Sequence, residues 1–215
     1  MRPAGSRSWM FRHGIAQLPH AAVYVRDATG LEPPPDPVLP PPLGVPDDEQ
    51  RDVLDGAGRA EAGAQWLRWW RGLVAAEATE RSSLEEVIRP SFWPGDDGRI
   101  AGLGPGDQSA LQQAVAAAFG AGCSWFDRCR PPVPETEQAC FEWHLVRDVA
   151  KDVARRHGVS PGAVRGTAVV LGVHENWWAG FGSGVTACPV ACAQNPQTAR
   201  DVLLEAFESG LSTQR

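Results

Sequence analysis

The chain has 215 residues, a formal net charge of −6 and 43% hydrophobic residues. A sizeable core is within reach, so global disorder is excluded, and at this length one main domain with a small appendage is expected. No apolar run approaches the roughly 18 residues of a membrane-spanning helix, and the acidic balance argues against a general nucleic-acid coat or an anionic-membrane binder.

The 20 basic residues are 19 Arg and one Lys, Lys151, while Gly, Pro and Trp number 23, 19 and 9. Ile, Asn and Tyr are scarce. This skew follows GC-rich codons, so we expect a high-GC bacterial source and attach no functional meaning to Arg over Lys. Nine Trp are harder to set aside, because each indole N–H wants a partner. They point to a Trp-rich core or to an aromatic binding surface. Residues 1–18 carry Arg2, Arg7 and Arg12 but no apolar h-region, a poor secretory signal. Five Cys at scattered spacings make no disulfide framework; reduced thiols and a cytoplasmic location are expected.

In chain order, residues 1–30 form an N-terminal segment, with a short strand predicted at 21–26 and a turn at Asp27-Ala28-Thr29-Gly30. Residues 31–47 are a Pro-rich linker or arm, since Pro33 to Pro46 cannot support a helix or a central strand. Pro40-Pro41-Pro42 has the chemistry to dock on an aromatic groove. Residues 48–215 are then expected to form a single globular domain.

Asp47-Asp48-Glu49 suits a helix start, and Gly56 and Gly58 are expected to break the run. From Ala60 to Thr79, Trp66, Trp70 and Leu73 fall on one helical stripe. Ser82-Ser83-Leu84-Glu85 resembles a capping box for a short helix ended by Pro90. A Gly/Pro/Asp-rich loop follows, then a helix from Asp107 to about Cys129. Pro131, Pro132 and Pro134 stop it. The longest helix is expected at about 137–157, with Trp143, Val146, Ala150 and Val153 as core stripe and Gly158 at its end. Thr167 to Val173 reads as a buried strand and Gly184 to Cys188 as its hairpin partner. Asn195 and Pro196 open a last helix, with Gly210 expected just past its end. The predicted fold class is α+β: a mostly helical body with a small antiparallel sheet, the C-terminal hairpin, which the N-terminal strand is free to join.

Four features bear on function. Val153 to Arg165 resembles the central turn of a helix-turn-helix, with small Ala154, turning Gly158 and core Val164. It implies a DNA-binding regulator using 147–166, with Arg155, Arg156, Ser160 and Arg165 toward the nucleic acid. The β-like run from Thr167 shortens the would-be recognition helix, and the charges around it equally describe a solvated helix face. Next, Cys140 and His144 lie at i, i+4 on one helix face, a half-site for Zn²⁺ that Cys188 and Cys192 would complete. Small buried cysteines explain the same residues. A catalytic Cys–His pair fares worse. In an antiparallel hairpin His174 stands about 13 Å from Cys188, whereas nucleophile and base must lie within about 3 Å.

The fourth feature is the loop 174–184, with His174, Glu175, Trp177, Trp178, Phe181 and three glycines. Adjacent Trp177 and Trp178 cannot easily both be buried, and aromatic loops often carry recognition. No phosphate-binding loop or nucleophile elbow is present. The expectation is therefore a cytoplasmic accessory protein that binds a protein partner through 174–184, with no cofactor and no membrane. A DNA-binding regulator and a small Cys/His zinc protein or enzyme are the alternatives.

Overall fold

The computed structural model describes residues 9–44, 52–77, 92–129 and 140–212. The predicted features at Asp47–Glu49, Ser82–Glu85, Pro90 and Pro131–Pro134 lie outside these residues. The class is α+β, with six helices and a four-stranded mixed sheet among the described residues. The chain folds into two compact units. Residues 16–130 make one, here called the helical unit, and 1–15 with 131–215 make the other, the sheet unit.

The sheet unit begins with β1 (Met10–Gly14). Its helices are α4 (Trp143–His157), α5 (Val190–Gln194) and α6 (Pro196–Ser212). Its other strands are β2 (Arg165–Leu171), β3 (Ala179–Gly182) and β4 (Val185–Pro189). The strand order is β1-β2-β4-β3. β1 lies parallel to β2, with Met10 opposite Arg165, and β2 lies parallel to β4, with Thr167 opposite Val185. Only β3 and β4 are antiparallel, with an irregularity between Gly180 and Gly182.

This corrects the predicted pairing. β2 and β4 were expected as the two arms of an antiparallel hairpin. Instead the intervening loop carries the chain to the far edge of the sheet, β3 returns, and β4 enters beside β2 in the same direction. The continuous burial of Ala168–Leu171 and Val185–Pro189 fits this parallel setting. The strand that joins from the N-terminal region is 10–14, not 21–26.

Helices α4 and α6 run alongside each other, tied by Arg200 to Asp152 at 3.2 Å and Arg156 to Glu208 at 2.7 Å. α6 also packs on β2, where Ala206 and Phe207 lie against Gly166. Gly210 does not end α6 as expected but lies within it. A Cβ there would sit 2.4 Å from the Arg165 carbonyl oxygen, so this glycine serves a close approach of backbones rather than a left-handed cap. The other caps agree with the sequence. Asn195 Oδ1 accepts from the N–H groups of Gln197 and Thr198, and Gly158 closes α4 at φ 62°. α4 starts at Trp143, and residues 137–139 of the expected helix fall outside the described residues.

The helical unit holds α1 (Gln17–Ala28), α2 (Gly56–Glu77) and α3 (Ser109–Cys129). The segment predicted as a strand is the body of α1. Ala21 to Val25 are all buried, so the apolar run shows no helical stripe and reads equally well as a buried strand. Gly122 of α3 lets α1 come close, since a Cβ there would lie 3.1 Å from Tyr24. Gly56 and Gly58 do not break α2: Asp55 Oδ1 accepts from the Gly58 N–H at 2.7 Å and caps the first turn.

Trp66, Trp69 and Trp70 are buried on α2, and every indole finds a carbonyl. Trp66 donates to Ala22 at 2.7 Å, Trp69 to Phe92 at 3.0 Å and Trp70 to Val38 at 2.9 Å. The Trp66 and Trp70 rings stack with centroids 5.8 Å apart. The last of these bonds reaches the Pro-rich stretch. Described residues 31–44 form a strap folded back on α1 and α2, with Pro40 and Leu43 buried. Gly63 permits the crossing, because a Cβ there would lie 2.4 Å from Glu32 backbone. Pro40 and Pro41, expected to suit an aromatic groove, are held within their own chain through their carbonyls, which accept from Arg26.

Candidate functional site

The parallel arrangement brings the end of β2 and the end of β4 to one side of the sheet, and the loop 172–178 leaves from there. Val173 is buried and anchors it, while His174, Glu175 and Asn176 are exposed. Trp177 is half-buried, Trp178 is 37% exposed, and Phe181 on β3 is half-buried. Neither of the two adjacent indoles is buried, in keeping with the expectation that both could not be.

The loop is held from below. The Cys192 thiol on α5 donates to Asn176 Oδ1 at 2.9 Å and lies 3.5 Å from the Trp177 carbonyl oxygen. Its far end is set by Gly182, Ser183 and Gly184, which stand at φ 74°, 50° and 84°. Three consecutive left-handed residues explain the glycines on either side of Ser183. The Gly184 N–H then donates to Ser209 Oγ on α6 at 3.2 Å.

The cysteines beneath the loop are free thiols, and Cys140, Cys188 and Cys192 are buried. Burial pushes the Cys188 thiol well above its ordinary value, and neighbouring Cys192 and Cys140 push the same way. Burial also raises the Cys192 thiol, against hydrogen bonding from Trp177 and Thr198. Both stay protonated at neutral pH, the state of an inert structural cysteine rather than a nucleophile. Of the four side chains proposed for zinc, Cys140, Cys188 and Cys192 are buried, while His144 stands exposed at the start of α4. Among the described residues no three His, Cys, Asp or Glu side chains are arranged to hold a metal ion.

For the DNA-binding alternative, Arg155 and Arg156 are exposed at the end of α4. They pair with Asp152 and Glu208, both at 2.8 Å or less. Ser160 caps only a three-residue 3-10 turn, Pro161–Ala163, and Arg165 opens β2. The segment after the turn is a strand, so the sequence supplies no recognition helix there.

Sequence reasoning missed two features. Trp143, expected in the core stripe of α4, is 64% exposed and packs on Trp9 with ring centroids 4.6 Å apart. As the first residue of the helix it precedes the buried face that Val146, Ala150 and Val153 form. The second lies in the helical unit, where Arg26 and Asp27 at the end of α1 are nearly buried, with side-chain exposures of 8% and 10%. An arginine and an aspartate following directly on the apolar run Ala21–Val25 were the available signal. No described helix is long and apolar enough to cross a membrane. Comparison with protein-family models, curated proteins and solved structures finds no match to this chain.

Proposed function

We propose that this chain is a non-enzymatic accessory protein that docks a protein partner through the loop 174–184. One observation carries the reading: Trp178 is substantially exposed on a loop whose backbone is fixed by Cys192 and by the Gly182–Gly184 turn. A large aromatic presented on a rigid support loses little conformational freedom on binding, which is the character of an interface hot spot. Trp177 and Phe181 flank it, and His174 and Glu175 supply a polar rim. The free thiols fit a reducing cytoplasm, where we place the protein.

Native mass spectrometry of the protein purified gently from its own host reports subunits and bound species together. The reading expects a heteromeric complex, and reconstitution with the purified partner should be weakened about tenfold or more by Trp178→Ala. A bare monomer, or a complex indifferent to Trp177→Ala and Trp178→Ala, would contradict it.

A further inference from the structure

We propose that the helical unit contains a second recognition site, a cleft under the Pro-rich strap that receives a short, uncharged peptide segment of a partner and reads its backbone through Arg26 and Asp27. The cleft has a volume of about 480 Å³, within the roughly 300–1,000 Å³ of small-ligand sites. Its walls are apolar, from Leu31, Leu39 and strap prolines, and its polar groups are Arg26 and Asp27.

The strap shows what these two side chains recognise. Arg26 Nη1 donates to the Pro40 carbonyl at 2.5 Å and Nη2 to the Pro41 carbonyl at 3.1 Å. Asp27 Oδ2 accepts from the Leu43 N–H at 2.7 Å. One residue reads backbone carbonyls and the other a backbone N–H, which together are the two polar groups of every peptide unit. Arg26 also holds Asp27 Oδ1, through Nε at 2.7 Å and Nη2 at 2.6 Å, while its guanidinium carbon sits 5.3 Å from the centre of the Trp66 ring. The pair is thus rigid before any ligand arrives.

Neither group is saturated. The strap and Asp27 take at most four of the five guanidinium N–H groups, and Oδ2 keeps a second lone pair beyond Leu43. Burial raises the Asp27 carboxyl despite the opposing effects of Arg26 and the Leu43 N–H, so the carboxylate gains from another donor. Because the ion pair is internally neutral, it favours a neutral partner with one acceptor and one donor close together. An extended peptide unit meets that description, and apolar side chains suit the walls. This site stands independently of the loop 174–184.

The test is a titration of the ¹⁵N-labelled full chain with acetyl-Leu-Ala-Leu-amide, compared with acetyl-Glu-Ala-Glu-amide. The apolar peptide should give saturating amide shifts at Gly30, Leu31, Leu39 and Gly44, and the acidic one should bind about tenfold more weakly or worse. Leu39→Trp, which fills the cleft from its rim, should weaken the apolar peptide about tenfold without lowering the melting temperature. Asp27→Asn should weaken it as well, by replacing an acceptor with a donor. Absence of saturating shifts, equal affinity for both peptides, or unchanged affinity in Leu39→Trp would each overturn the proposal.

Discussion

Helix α2 and the sheet unit use tryptophan in opposite ways, while Trp93 and Trp125 of the helical unit lie off α2 and are exposed and half-buried. In the helical unit Trp66, Trp69 and Trp70 are buried, and each indole N–H is matched to a backbone carbonyl from outside α2. In the sheet unit Trp143 and Trp178 are exposed, and Trp9 and Trp177 are half-buried. The residue type is the same, but its place differs. On a long helix the periodic stripe turns toward the core, whereas at a helix start or in a loop between strands the ring has one side at most to bury. The indoles of α2 therefore belong to stability, and Trp178 is the better candidate for recognition.

That contrast is broken most sharply at Trp66. Its truncation to Ala removes a buried ring and the indole hydrogen bond to the Ala22 carbonyl, so we expect about 3–5 kcal/mol of destabilisation in urea unfolding. A loss below about 1 kcal/mol would mean that the α2 stripe is not a core. Next in size is Gly210→Ala. The added carbon meets the Arg165 carbonyl, which belongs to backbone and cannot swing away. A cost of about 1–3 kcal/mol is expected despite the better helix propensity of Ala, again read from unfolding curves.

A smaller effect concerns pH. The folded Cys188 thiol lies above its ordinary 9.0. Its contribution is fully present below the unfolded thiol's pKa and drains away as pH rises past it. Between about pH 8 and about pH 10 the loss should be about 1 kcal/mol, and Cys188→Ala should flatten that alkaline limb. An identical limb in the variant would place the loss elsewhere. The smallest change is expected from Trp178→Ala, within about 0.5 kcal/mol in stability. The same substitution should nonetheless weaken partner binding, and a large drop in melting temperature would mark Trp178 as structural instead.

The sequence made the local elements legible where capping and periodicity agreed. Asn195 and Pro196 open α6, Gly158 closes α4, and the stripe Trp66–Trp70–Leu73 is the buried face of α2. It failed where burial erased periodicity, as in Ala21–Val25, and where pairing was non-local. β1 meets β2 only after the chain has made the whole helical unit, and nothing near Met10 announces Arg165 as its neighbour. Glycines misled for a related reason. Gly210 reads as a helix terminator, yet its role is set by the distant Arg165. Of the candidate sites, it was readable that Trp177 and Trp178 would not both be buried. The burial of Cys140, Cys188 and Cys192 was readable only as one option among several, because spacing on separate elements carries no distance.

Hydroxyl-radical footprinting of the nine tryptophans, free and with the partner bound, tests the central contrast directly. In the free chain Trp143 and Trp178 should oxidise readily and Trp66, Trp69 and Trp70 hardly at all, and the partner should protect Trp178. Ready oxidation of the α2 indoles, or a bound partner that leaves Trp178 as reactive as before, would contradict the division of labour between α2 and the loop 174–184.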